Sequence, residues 1–419
     1  MKILHINTSD TAGGAAIAAM RLHKAMLAAG IDSTFFCFNR TINDDERILT
    51  VDKITKLRSR TLDVAKRMVF NKRYVSSSMG LFSNMKQGYK LGKFVNLNDY
   101  DVIYIHWVNG GFLSLNGLEE ICKTGKKIFW FMHDMFPITG GCHHSYTCTL
   151  YRYSCGDGGC HYMKNFKSPR SFAYKQLKLK HKILDKYTNL SFVAPSKWLY
   201  ECSKASSLGQ KHAVYHIPNL LDENVFRPLD KAFCRQVLNL PKDKKIVLFG
   251  ADSALTNPYK GFEYLVKALQ KLKEDSGIKD EEILLVIFGS SENSEIKMRL
   301  ALPCHFFGYL HDTYSLNLLY NAADVFCMPS LAEAFGQTAL ESIFCGTPVV
   351  AFDVGGLPDF VSEKTGYLAK YEDADDFASG IEACLQCGRI DNESMIEMCK
   401  AERVVKKHCE MWKSSKKRS

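Results

Sequence analysis

Glu333 and Glu341, with seven residues between them, bracket the turn Phe335-Gly336-Gln337 inside PSLAEAFGQTALESIFCGTPVVAFDVGGLP, residues 329–358. Carboxylates on either side of a helix start suit a polyol ligand, because each accepts hydrogen bonds from neighbouring hydroxyls. The apolar run ADVFCM, residues 323–328, fits a buried parallel strand, and residues 335–345 have helical composition closed by Gly346 as a C-cap. That order puts the loop at the carboxyl end of a strand, where open α/β sheets bind ligands. Gly336 permits close approach, and the backbone N–H groups of Phe335, Gly336 and Gln337 at the helix opening suit a diphosphate. Glu341, further along the helix, then meets a ribose diol, and Glu333 the hydroxyls of a second sugar. A sugar nucleotide satisfies these demands together. The alternative is one solvated glutamate and one that merely favours the helix dipole.

Other residues read as partners in the same chemistry. Gly250 closes the apolar run KKIVLFG, and ten residues on Lys260 precedes the helical pattern GFEYLVKAL, so its ammonium suits the same diphosphate. In TSDTAGGAA, residues 8–16, Gly13 and Gly14 lead from a first strand into an alanine-rich helix. This is not the G-x-G-x-x-G pattern, and a tight turn without a ligand reads equally well. His106 (IHW) and His133 (FMHD) each end a strand; His133 suits a hydrogen bond to a sugar hydroxyl or help with proton transfer, with Asp134 orienting it. The segment GGCHHSYTCTLYRYSCGDGGCH, residues 140–161, crowds Cys142, Cys148, Cys155 and Cys160 among His143, His144 and His161. Four thiolates there suit a structural zinc; with no C-x-x-C pair, reduced packed thiols are the alternative. Asp373 to Asp376 (DADD) reads as helix capping rather than a metal site.

The elements that must position these groups alternate between strand and helix from end to end, which predicts two doubly wound α/β layers. Strands are expected at 2–6, 33–38, 101–106, 127–132 and 190–194, and again at 245–250, 283–289, 304–307, around Asp324 and at 349–352. Helices are expected at 15–29, 168–186, 262–273, 315–321 and 375–387. The domains expected are 1–217, 218–398 and a basic closing helix or tail, 399–419. A chain of 419 residues is long enough for two full cores, and an apolar content of 46% argues against disorder. The sequence enters a strand at once (MKILHINTS), and no stretch approaches the roughly 18 apolar residues of a membrane span, so a cytoplasmic protein is expected. The 15 cysteines fit reduced thiols better than a disulfide framework.

Charge is uneven: residues 1–220 carry 31 Lys and Arg against 15 Asp and Glu, and residues 221–419 carry 24 against 30. One basic cluster (Lys53, Lys56, Arg58, Arg60, Lys66, Arg67, Lys72, Arg73) is interleaved with Leu62, Val64, Met68, Val69 and Phe70; another runs from Lys164 to Lys186. The first suits a helix lying on an anionic lipid surface, the alternative being a solvated face. A basic patch also attracts nucleic acid, but no nucleic-acid motif is present and none is expected as a partner.

With these residues in place, the chain resembles the family 4 glycosyltransferases of the GT-B fold over nearly its whole length. Glu333 and Glu341 match that family's paired glutamates, Lys260 its phosphate lysine, Gly13-Gly14 its glycine loop and His133 the histidine beside the reacting sugar. The segments GGAAIAAMRLHKAM, IHWVNGGFLS and HDMFPITGGCHH are similar to the subgroup of colanic-acid-type exopolysaccharide transferases. The family usually has Arg after the glycine ending the strand, whereas Ala251-Asp252 follows Gly250 here. The resemblance implies two Rossmann-like domains facing across a cleft. It further implies transfer of a sugar, with retention of configuration, from a nucleoside diphosphate donor to a lipid-linked or saccharide acceptor of surface polysaccharide. Catalysis then requires no cofactor, and contact with the inner face of the plasma membrane is expected. Catalytic roles fall on His133, Glu333 and Lys260. The alternatives are a sugar-nucleotide epimerase or hydrolase of the same fold, and a nucleotide- or nucleic-acid-binding protein without turnover.

Overall fold

The runs KILHINTS, VIYI, KIFWF and LSFVA are too continuously apolar to leave one face in water, and they become strands buried along almost their whole length. The computed structural model describes residues 1–58, 64–76, 81–165, 171–250, 257–310 and 312–414. The Arg60 and Leu62 of the basic cluster, the side chain of Arg67, and the departure at Ala251-Asp252 fall outside the described residues. Two compact units result, Met1–Leu220 with Val404–Ser419, and Leu221–Arg403.

The first unit holds strands β1 (Lys2–Ser9), β2 (Asp32–Asn39), β3 (Ile48–Thr50), β4 (Val102–Ile105), β5 (Lys127–Phe131), β6 (Leu190–Ala194) and β7 (Ala213–His216). They pair in parallel in the order β3-β2-β1-β4-β5-β6-β7. Its helices are α1 (Gly14–Ala28), α2 (Lys53–Arg58), α3 (Val64–Tyr74), α4 (Leu115–Lys123), α5 (Phe172–Leu184) and α6 (Lys197–Ala205). Side chains of Ser114, Ser171 and Ser196 accept from first-turn amides and so fix where α4, α5 and α6 begin. The order reverses direction between β1 and β4, the position at whose carboxyl edge open α/β sheets bind ligands.

The second unit repeats the plan with α7 (Lys231–Val237), β8 (Lys245–Gly250), α8 (Phe262–Ser276), β9 (Ile283–Phe288), α9 (Ser294–Arg299), β10 (Cys304–Gly308), α10 (Thr313–Ala322), β11 (Val325–Met328), α11 (Gln337–Phe344), β12 (Val349–Phe352), β13 (Gly366–Ala369), α12 (Ala374–Cys387) and α13 (Glu393–Cys399). The sheet runs β10-β9-β8-β11-β12-β13, all parallel, with its reversal between β8 and β11. Both units are therefore Rossmann-like, as expected. Asp373 caps α12 by accepting from the amides of Asp375 and Asp376, the role read for that acidic run.

The closing segment is a packed helix as far as Ser414, and residues 415–419 fall outside the described residues. In α14 (Ala401–Ser414) the residues Val404, Val405, His408, Met411 and Trp412 form a buried stripe. The Trp412 indole N–H donates to the Tyr104 hydroxyl at 2.8 Å, and Nδ1 of His408 lies 2.8 Å from the same oxygen, so the helix is seated on β4 of the first unit. Charged residues on the opposite side disguise this stripe in a count of composition. Among the described residues, no helix is long and apolar enough to cross a membrane.

Candidate functional site

In the second unit three loops leave adjacent parallel strands, β8, β11 and β12, at the reversal of strand order. Their backbones are bolted together. The Leu331 amide donates to the Tyr259 carbonyl at 2.8 Å, joining the β11 loop to the β8 loop. Gly261, at φ +72°, sits so close that a Cβ there would lie 1.7 Å from the Pro329 carbonyl oxygen. The Gly356 amide donates to the Glu333 carbonyl at 3.0 Å, and a Cβ on Gly355 (φ +59°) would lie 1.8 Å from that same oxygen. Glycine at 261 and 355 is therefore a steric requirement that fixes Lys260 and Glu333 relative to each other.

On this frame Lys260 Nζ donates to Glu333 Oε2 at 3.0 Å, with 20% and 17% of the two side chains exposed. The pair is accessible enough to exchange partners with a ligand and sheltered enough to matter electrostatically. Gly336 (φ +98°) precedes α11, whose opening-turn amides have no carbonyl one turn back in the helix and suit an anion. Phe335 is a packing residue: it is buried, with its ring 5.2 Å from that of Phe360, so only its backbone is available to a ligand. Glu341, the fifth residue of α11, is buried and accepts a hydrogen bond from the Tyr320 hydroxyl at 3.1 Å. Tyr320, on α10, is a support that spacing along the sequence does not reveal.

In the first unit Gly13 precedes α1 with φ +85°, and nothing lies within 4 Å of a Cβ built at Gly13 or Gly14. The positive φ requires glycine at 13, and the open space beside 14 leaves room for a ligand. The ends of β1 and β4 are stitched by Asn7 Oδ1, which accepts from the Trp107 amide at 2.9 Å, and by Thr8, whose hydroxyl donates to the Asn109 carbonyl at 2.9 Å.

Here the structure joins His106 and His133, which the sequence places only at strand ends. His106 Nδ1 lies 3.0 Å from His133 Nε2, and His106 Nε2 lies 3.0 Å from His5 Nδ1. Burial pushes His133 down to about 4 and holds His106 and His5 well below the usual histidine value, so all three are neutral at pH 7. The expected orienting role of Asp134 is corrected. Its carboxylate lies 2.5 Å from His143 Nδ1 and accepts from the Trp107 indole at 3.1 Å and the Phe136 amide at 2.8 Å, leaving His106 to orient His133.

Cys142, Cys148, Cys155 and Cys160 are free thiols. Burial pushes Cys155 up to about 12 and Cys142 well above its ordinary value, so both stay protonated. Among the described residues no group of three or more His, Cys, Asp or Glu side chains is placed to hold a metal ion.

Residues 230–401 match the family model described as glycosyl transferases group 1. A D-inositol 3-phosphate glycosyltransferase of Catenulispora acidiphila is 31% identical over 180 residues, which are 39% of this chain and 40% of that protein. The chain thus spans well under half the length of this and similar curated relatives. An uncharacterized glycosyltransferase of Methanocaldococcus jannaschii is 28% identical over 310 residues, 71% of this chain and 68% of that one. Among solved structures, Anabaena HepE in complex with UDP and glucose matches with a TM-score of 0.62 and 16% identity, covering 99% of this chain and 100% of HepE. That likeness shows the fold, GT-B, and the comparisons together support a transferase enzyme.

Proposed function

We propose that the chain is a retaining glycosyltransferase of family 4 that moves a sugar from a nucleoside diphosphate donor to a lipid-linked or saccharide acceptor in surface-polysaccharide synthesis. The observation that carries this reading is the Lys260–Glu333 pair, held with the start of α11 on bolted loops at a sheet's reversal point. A diphosphate entering there takes Lys260 from Glu333 and adds the opening amides of α11, so negative charge building on the leaving phosphate is matched in advance. Glu333, released from the ammonium, accepts from the donor sugar's hydroxyls, and Glu341 accepts from the ribose while Tyr320 keeps it in place. Retention needs no protein nucleophile: the departing phosphate oxygen takes the acceptor's proton on the face it leaves, and the protein positions both partners. His133 supplies a hydrogen bond to the transferred sugar. HepE, which was solved with UDP and glucose, supports a nucleotide sugar as the donor class.

A lipid-linked acceptor fits the first unit's surface. On α2 and α3 the apolar Ile54, Leu57, Met68 and Val69 are exposed beside Lys53, Lys56, Arg58, Lys66, Lys72 and Arg73, an arrangement suited to anionic headgroups. Phe70 points inward, its ring 4.6 Å from Phe172, and seats α3 on the unit. The test is incubation with labelled UDP-, GDP- and ADP-sugars and a membrane extract. Label moving into lipid or glycan is expected; label converted in solution without any acceptor contradicts the assignment and favours an epimerase.

A further inference from the structure

The three-histidine chain of the first unit constrains the group at its outer end. His106 uses both ring nitrogens, one toward His133 and one toward His5, each contact 3.0 Å. Each contact needs one proton, and each neutral ring carries one. If His106 holds its proton on Nδ1, then His5 and His133 must also hold theirs on Nδ1; if on Nε2, all three hold it on Nε2. Mixed arrangements place two protons, or two lone pairs, face to face. The inner end is sealed, since His5 Nε2 is buried with no partner. The space beside the outer rings, lined by Ala18, Leu22, Phe131, Pro218, Val404 and His408, is too narrow to admit water. Rings on either side hold the planes in register: Tyr104 stacks on His5 at 5.0 Å and Phe131 on His133 at 5.2 Å. Among the described residues no hydrogen bond engages Nδ1 of His133, the half-buried end of the chain.

We propose that His106 and His5 are positioning residues that lock His133 as a single neutral tautomer with Nδ1 presented to a hydroxyl of the transferred sugar. This rests on the reading that His133 meets that sugar. A hydroxyl donates and accepts, so it partners either shared arrangement, and the chain resists exchange between the two because all three rings would have to change together. Fixing a tautomer from behind is the role that a buried hydrogen-bond partner plays for catalytic and ligating histidines generally.

The test is His5→Leu, two rings away from the sugar, with His106→Gln as a second variant that keeps a polar group in the core. The full-length protein, labelled with ¹⁵N-histidine, is read by ring-nitrogen NMR and by steady-state kinetics. In the wild type the His133 ring nitrogens should show the separated shifts of one tautomer. In both variants those shifts should move toward each other, with kcat falling roughly 10- to 100-fold while KM for the donor changes little. His5→Gln, which restores a hydrogen bond to His106, should recover most of the loss. Unchanged kcat and unchanged His133 shifts in His5→Leu would overturn the relay. His133→Ala separates this from the underlying reading: if that variant keeps full kcat, His133 does not serve the sugar and both ideas fall; if it loses kcat while His5→Leu does not, the relay alone is wrong.

Discussion

Glu333 and Glu341 carry the same carboxylate, yet the backbone and partners around them assign different work. Glu333 is aimed by its own carbonyl, clamped by the Gly356 amide, and its side chain shares Lys260. On the proposed function, removing it strips a contact to the reacting sugar, so Glu333→Ala should lower kcat by roughly 10- to 100-fold, the worth of a hydrogen bond to a charged group, with nucleotide affinity nearly unchanged. Glu341 is held by Tyr320, so Glu341→Ala should instead weaken donor binding by a similar factor. The separation is checked by comparing kcat with a titrated Kd in each variant; equal, near-wild-type values in both would remove the roles assigned here. These two residues, Lys260 and Gly336 are legible in the sequence because strand, glycine and helix punctuate them at short range. His5 is not, because a histidine inside an apolar strand has no spacing to mark it, and its partner lies 101 positions away. Asp134 is misread for the opposite reason: adjacency to His133 suggests a pair, but three other donors claim the carboxylate.

Among the elements, the central strands and the edge strand β10 are legible, and the edge strands β3, β7 and β13 are not. β3, β7 and β13 are short or half-exposed and lack the continuous apolar run that betrays β4 or β5. α14 is half-legible, its cations obvious and its buried stripe concealed. Because Trp412 is almost fully buried and donates to Tyr104, Trp412→Ala should cost about 3–5 kcal/mol of first-unit stability, measured by denaturant unfolding. A cost below about 1 kcal/mol would mean that the helix is not integral to that unit. α2 and α3 make the opposite prediction, of function without stability. Lys53→Glu with Lys56→Glu should weaken sedimentation with anionic phospholipid vesicles by about 1 kcal/mol per cation removed, an effect that added salt erases, while unfolding is unchanged. Vesicle binding that is indifferent to both charge reversal and salt would refute the lipid-facing role.

For the whole molecule, the buried histidines make the two units respond differently to acid. His5, His23, His106, His133 and His408 all belong to the first unit, and burial lowers each: His23 and His133 to about 4, His408 to about 3, His5 and His106 well below the ordinary range. The unfolded chain binds protons at these positions below about pH 6.5 while the folded unit does not, so stability is full above that value and falls progressively toward about pH 4. Calorimetry between pH 7 and 5 should show the first unit's transition dropping more than the second's; parallel shifts would mean that these rings are not buried and neutral. The second unit carries the claim on which the rest depends, that its β8, β11 and β12 loops grip a nucleoside diphosphate sugar. Isothermal titration of the full chain with UDP-, GDP- and ADP-sugars tests this most directly. One donor should bind, Lys260→Ala should bind it roughly 10- to 100-fold more weakly, and Gly336→Ala, which forces a Cβ to within 2.5 Å of Leu357, should abolish binding. No uptake of any donor by the wild type, or uptake undiminished in both variants, would contradict the account.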